Sequence, residues 1–212
     1  MIKEKLSAIL SSIPSDVTLV AVSKTKPIDR IEEAFESGQL DFGENKVQEM
    51  VDKAAVLSKN IRWHMIGHLQ RNKVKYIAPF VSLIHSVDSQ RLLNEIDKQG
   101  KKNDRVIDCL LQVRIAQEET KFGLTYEDCD ALLQQFDCTN VRIRGLMGMA
   151  SFTANQDQIE EEFKLLQQYY DQHQSQQQWD ILSMGMSGDY PLALRCGSNM
   201  IRVGSSIFGA RN

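Results

Sequence analysis

The sequence predicts a (β/α)8 TIM barrel, and three observations carry that prediction. Eight short apolar runs alternate strictly with amphipathic stretches from about residue 17 onward. Such alternation implies an all-parallel sheet, which eight units close into a barrel; an open doubly wound sheet is the alternative. The 212 residues fit one domain of this size better than two ordinary ones, so residues 1–212 are read as a single unit.

Element by element, an extra N-terminal helix over residues 3–10 precedes a first strand over 18–23. Further strands are expected at 41–43, 62–67, 82–86, 106–113, 142–146, 180–183 and 200–203. Between them, apolar residues recur at three- and four-residue spacing over 28–37, 46–58, 71–78, 89–99, 126–136 and 158–172, with a short helix at 190–195. Start signals support these helices: Pro27-Ile28-Asp29 follows the first strand, Asp88-Ser89 opens the fifth helix counted from the N-terminus, and Thr125 caps the next with Asp128 three residues on. The glutamine-rich run 172–178 reads as a frayed helix end and polar loop.

Composition narrows the function classes. Apolar residues make up 42% and charged residues 25%, enough side chain for a sizeable core. A net charge of -3 supplies no general attraction to phosphate polymers, so no nucleic-acid partner is expected. The opening thirteen residues are too short and polar for an export signal. No run approaches the roughly 18 apolar residues of a membrane span, so the expectation is a cytoplasmic protein. Cys109, Cys129, Cys138 and Cys196 form no C-x-x-C pair and read as buried or indifferent thiols.

In a parallel barrel, reactive groups gather at the carboxyl ends of the strands. The first strand runs Leu19-Val20-Ala21-Val22-Ser23 straight into Lys24. That lysine is either partly buried, with a lowered pKa and an amine free to attack a carbonyl, or a rim lysine snorkelling into solvent. The seventh strand ends in Met184-Gly185-Met186-Ser187-Gly188-Asp189 and the eighth in Arg202-Val203-Gly204-Ser205-Ser206. Each is an ordinary turn sequence alone; together, after strands seven and eight, they suggest a phosphate cup of backbone N–H and hydroxyl groups. A nucleophilic lysine opposite such a cup points to a phosphorylated aldehyde held as a Schiff base.

These segments, with Phe42-Gly43-Glu44-Asn45 and 63–73 (Trp63-His64-Met65-Ile66-Gly67-His68 onward), closely resemble the pyridoxal 5′-phosphate (PLP) homeostasis proteins, relatives of the alanine racemase N-terminal barrel. The resemblance spans nearly the whole chain. It implies that Lys24 carries PLP as an internal aldimine, that Ser187, Gly204 and Ser205 form the phosphate cup, and that Arg202 faces the pyridine nitrogen. It further implies that Asn45 hydrogen-bonds the phenolic oxygen or ring edge and that Met186 and Gly188 line the site by backbone. A guanidinium opposite the ring nitrogen cannot accept its proton, so the cofactor there is a weaker electron sink than one paired with Asp.

Two positions depart from the family pattern: Arg114 where Asn is usual after Gln-Val, and Asn199 where Thr is usual after Gly-Ser. Arg114 leaves the lining above the fifth strand open, whereas Asn199 lies before its strand, away from the mouth. His64 and His68 invite a metal reading, but four residues of extended strand span about 13 Å, too far to share one ion without a sharp turn, so no metal site is expected. His64 and His85 either face the mouth or are satisfied barrel histidines. The loop 118–123 resembles the family's Glu-x-x-Lys-x-Gly segment and is either an ion-paired rim or a solvated charge run. Met147-Gly148-Met149 after the sixth strand either packs beside the cofactor or fills gaps.

Three functions remain in view: a PLP carrier in homeostasis, a PLP-dependent racemase-like enzyme, and a barrel for another phosphorylated metabolite. Racemases of this class add a second domain with a tyrosine acid/base. The barrel here consumes the chain through residue 209, and no tyrosine stands convincingly at a strand end. The expectation is therefore a monomeric, non-catalytic PLP carrier, with PLP-dependent apoenzymes as possible recipients.

Overall fold

The computed structural model describes residues 2–116 and 122–209. Eight parallel strands close a barrel in sequence order: β1 (Thr18–Val22), β2 (Asp41–Glu44), β3 (Arg62–Met65), β4 (Leu83–Val87), β5 (Ile107–Val113), β6 (Val141–Gly148), β7 (Ile181–Met186) and β8 (Met200–Val203). β8 returns to pair with β1, Leu19 opposite Ile201 and Ala21 opposite Val203. The outer layer comprises α2 (Ile28–Glu36), α3 (Val47–Val56), α4 (Val74–Ile77, entered through a 3-10 turn at Arg71–Lys73), α5 (Gln90–Lys102), α6 (Tyr126–Gln134), α7 (Gln156–Gln177) and α8 (Tyr190–Arg195). The extra helix α1 (Ile2–Ser12) buries Ile2, Leu6 and Ile9 and packs against α2 and the short α9 (Ser205–Phe208).

Local chemistry sets these boundaries. The Ser89 hydroxyl accepts from the Leu92 N–H at 3.3 Å and opens α5. Thr125 and Asp128 form a reciprocal capping box that opens α6. The 172–178 run corrects the expectation of a polar loop, since α7 continues to Gln177 and ends at a left-handed Gln178 (φ 56°). Glutamine is a good helix former, and Tyr170 and His173 stack on Trp179, anchoring that last turn. Met147 and Gly148 are strand rather than loop, because they pair with Gln112 and Val113 of β5.

The core has two parts. Between sheet and helices lies the larger apolar layer, including Phe42, Met50, Ile84, Ile96 and Phe163. Inside the barrel sits a small cluster with one residue from each of six strands: Val20, Leu83, Leu110, Met147, Ile181 and Met200. Each such buried aliphatic side chain contributes roughly 1.5–3 kcal/mol. All four cysteines are free thiols; Cys109, Cys129 and Cys196 are buried, and burial raises their pKa values. No described helix is long and apolar enough to cross a membrane.

Candidate functional site

Side chains two apart on a strand share a face, so the inner cluster dictates the next layer toward the carboxyl ends. Val20 is followed by Val22, Leu83 by His85, Leu110 by Gln112, Met147 by Met149, Ile181 by Ser183 and Met200 by Arg202. Val22, Met149 and Arg202 line a cavity of about 300 Å³ at the carboxyl mouth, and all eight residues expected to bind cofactor line it too: Lys24, Asn45, Met186, Ser187, Gly188, Arg202, Gly204 and Ser205.

The cup joins two loops. The Gly204 N–H donates to the Ser187 hydroxyl at 3.1 Å, bridging the ends of β7 and β8. α8 can approach β7 because Gly185 has φ +90° and lacks a Cβ that would stand 2.7 Å from that of Ala193. On the opposite side, a Cβ at Gly67 would fall 2.3 Å from the Asn45 carbonyl oxygen, so this glycine lets the chain after β3 pass directly over Asn45.

Lys24 is half-buried, and the residues flanking it are tied down by a buried ion cluster. Lys53 Nζ donates to Glu44 (2.8 Å), Glu49 (2.6 Å) and the Ser23 carbonyl (2.8 Å). The Ser23 hydroxyl donates to Glu44 at 2.6 Å, and the Thr25 N–H donates to Glu49 at 2.5 Å. Thr25 has φ 62°, a strained region for a β-branched residue, and the Glu49 bond holds it there. Burial raises the Glu44 pKa, partly offset by the Lys53 and Ser23 hydrogen bonds.

Arg202 is buried on β8, where its guanidinium donates to the Ser183 carbonyl (2.9 Å), the Ser183 hydroxyl (2.5 Å) and the Gly148 carbonyl (3.0 Å). Burial pulls its pKa down to about 10, opposed by Asp189, so it stays cationic at neutral pH.

The remaining expectations separate. His64 is a satisfied barrel histidine, bonded to Asp41 at 2.9 Å and His85 at 2.9 Å, while His68 sits on the rim against Asp88 (3.3 Å) and stacks on Phe122. The two histidines thus diverge, and among the described residues no three metal-ligating side chains converge. Arg114 is exposed and outside the cavity lining, and Asn199 braces the opposite end of the barrel by hydrogen bonds to Leu182 and Asp180. Of the 118–123 loop, residues 118–121 lie outside the described residues. Sequence reasoning missed Lys26, which lines the cavity and donates to the Gly209 carbonyl at 3.2 Å, and the Glu44–Lys53–Glu49 cluster. Lys53 left a signal, since it falls on the same helical face as buried Val47, Met50 and Ala54.

This barrel, with its lysine after β1 and its cup after β7 and β8, is of the alanine racemase N-terminal domain class, and that family matches residues 1–212. Among its relatives, the pyridoxal phosphate homeostasis protein of Haemophilus influenzae is 38% identical over 203 residues, covering 92% of this chain and 86% of the relative. PipY of Synechococcus elongatus, solved without and with PLP bound, superposes with TM-scores of 0.94 and 0.92 at 37% and 36% identity, over 99% of this chain and 100% of that one. The alanine racemase of Clostridium difficile, 12% identical with a TM-score of 0.80, shares the fold; 99% of this chain matches 56% of it. The chain belongs to the pyridoxal phosphate homeostasis protein family within the alanine racemase N-terminal class.

Proposed function

We propose that this protein binds PLP covalently through Lys24 at the carboxyl mouth of a single-domain barrel spanning residues 1–212. In this reading it serves intracellular PLP homeostasis as a cytoplasmic, monomeric carrier rather than turning over a substrate, and PLP-dependent apoenzymes are the partners it would supply. The observation that carries the reading is that Lys24 and the Ser187–Gly204–Ser205 cup line one 300 Å³ cavity.

The residues fit the cofactor. Lys24, Lys26 and Arg202 line the cavity, and among its described lining residues there is no carboxylate, a balance suited to a phosphate dianion. When bound, PLP supplies an aldehyde that condenses with a primary amine, its oxygen leaving as water. Lys24 supplies the amine, Ser187, Gly204 and Ser205 hold the phosphate, Asn45 meets the ring edge, and Met186 and Gly188 form the wall. Arg202 donates to the ring nitrogen and leaves it unprotonated. A two-base racemase needs a second proton donor opposite the lysine. Besides Lys24 the described lining offers only Lys26, whose amine donates to the Gly209 carbonyl at 3.2 Å, and no Tyr, His, Cys, Asp or Glu, which supports the carrier over the racemase-like alternative.

The test is borohydride reduction of PLP-loaded protein followed by peptide mapping. A pyridoxyl group on Lys24 in the wild type, absent in a folded Lys24→Ala variant, is the expected result. Protein that stays unmodified, or modification mapping to another lysine, would overturn the assignment.

A further inference from the structure

A line of polar side chains crosses the barrel interior, which is otherwise apolar at its centre. Arg202 donates to the Ser183 hydroxyl (2.5 Å), Ser183 Oγ lies 3.3 Å from His85 Nδ1, His85 Nε2 lies 2.9 Å from His64 Nδ1, and His64 Nε2 lies 2.9 Å from Asp41 Oδ1. His64, His85, Ser183 and Arg202 are each at most 4% exposed. The two ends of the line open into different cavities. Arg202 lines the cofactor mouth, whereas Asp41 and His64 line a cavity of about 500 Å³ at the amino-terminal end, with Arg62, Asp108 and Arg144.

The direction of every hydrogen bond follows from the two ends. A guanidinium only donates, so Ser183 Oγ receives from Arg202 and its own proton goes to His85 Nδ1. An ionised carboxylate only accepts, so His64 Nε2 carries a proton for Asp41. A neutral His85 that accepts at Nδ1 carries its one proton on Nε2 and donates it to His64 Nδ1, which leaves His64 with its proton on Nε2. The surroundings agree with it. Burial opposes the charge on Asp41, but hydrogen bonds from His64 and Arg62 outweigh that and hold its carboxyl below the usual range. Complete burial pushes the His85 pKa well below that of free histidine and keeps it neutral. The opposite orientation of His85 would leave the Ser183 proton without an acceptor in a buried site.

Of the five N–H groups of Arg202, the barrel occupies three, leaving Nε–H and one Nη2–H. We propose that Asp41, His64, His85 and Ser183 are positioning residues for Arg202, a one-way chain of hydrogen bonds anchored at the amino-terminal end that fixes which guanidinium N–H groups face the ring nitrogen of PLP. The inference rests on the PLP reading above. It extends that site by four residues, two of which, Asp41 and His64, line the cavity at the other end of the barrel.

Two measurements test it. In cofactor-free protein, 15N NMR of labelled histidine reads the proton positions directly. Neutral His64 and His85, both carrying Nε2–H at pH 7, are expected, and Nδ1–H or a protonated ring at either overturns the chain. With PLP added, absorbance and retention are compared among wild type, Ser183→Ala, Asp41→Asn, Asp41→Glu and Arg62→Gln, each checked for folding by circular dichroism. Ser183→Ala cuts the chain beside Arg202, and Asp41→Asn replaces its acceptor-only anchor with a group that can also donate. Both are expected to move the bound cofactor's absorbance band in the same direction and to weaken retention about tenfold. Asp41→Glu should restore the band and Arg62→Gln should leave it in place. If wild type binds PLP and neither Ser183→Ala nor Asp41→Asn moves the band, the positioning role fails while the cofactor reading stands. If wild type takes up no PLP, both fail.

Discussion

The two ends of the barrel are both ringed with charge but use it differently. At the amino-terminal end three arginines meet carboxylates: Arg62 pairs with Asp41, Arg142 with Asp108, and Arg144 bridges Asp108 and Asp180. At the carboxyl end the cavity lining brings together Lys24, Lys26 and Arg202 without a carboxylate among the described residues. The first arrangement neutralises itself and ties neighbouring strands together, since Asp41 with Arg62 and Asp108 with Arg142 are register partners in the sheet. The second gathers two amines and a guanidinium beside the hydroxyl and N–H groups of Ser187, Gly204 and Ser205 in one cavity. Polar density is therefore common to both ends, and what distinguishes the proposed functional end is the sign of the groups that line its cavity.

The largest expected effect falls on the buried cluster behind Lys24. Lys53, with its side chain 7% exposed, is the cation between Glu44 and Glu49. Lys53→Met is expected to cost about 4 kcal/mol in urea unfolding, because it strands the Glu44 carboxylate in the interior. It should also loosen Ser23 and Thr25 and so lower PLP retention. Adding Glu44→Gln should recover part of the stability. A loss below about 1 kcal/mol would show that the carboxyl end, like the amino-terminal end, holds its charges at little cost.

That cluster also shows what the sequence could and could not tell. The barrel was legible because strand and helix periods differ and alternate through the chain, and the cup because Gly and Ser recur after two adjacent strands. Lys24 was legible because it ends an apolar run. A lysine and two glutamates around a helix read as solvated charge unless the buried face of α3 is known, and Lys53 belongs to that face only once α3 has docked on the sheet. The His64–His85–Ser183–Arg202 line was less accessible still, since it joins β3, β4, β7 and β8, which face one another only after the barrel closes. The glutamines of α7 misled for a simpler reason, as their helix is held by aromatic stacking on Trp179, which follows it.

A smaller effect sharpens the comparison through its sign with pH. Asp41, at the amino-terminal end, has a pKa below 3.8 when folded. The stability it contributes is therefore present above about pH 4 and lost as pH falls through the folded value. Glu44, behind the mouth, has a folded pKa above 4.5, so its effect is opposite: stability declines as pH rises from 4.5 through the folded value. Denaturant midpoints measured across the acid range should show Asp41→Asn flattening the limb below pH 4 and Glu44→Gln removing the decline above pH 4.5. The same sign of change in both variants would break the distinction.

The smallest effect expected is at Arg142. Its side chain is 64% exposed, and its partner Asp108 keeps a second cation in Arg144 at 3.2 Å. Hydrogen bonding to Asp108 raises the Arg142 pKa, but an exposed pair in water gains little from its charge. Arg142→Ala is expected to cost roughly 0.5 kcal/mol in thermal or urea unfolding and to leave PLP retention unchanged. The Arg144 link makes the experiment informative. If Asp108, Arg142, Arg144 and Asp180 act as one network, removing its most exposed member would cost more than an isolated surface pair, and a loss above about 2 kcal/mol would show it. The amino-terminal end would then be a cooperative clamp on β5, β6 and β7, as demanding of its charges as the carboxyl mouth.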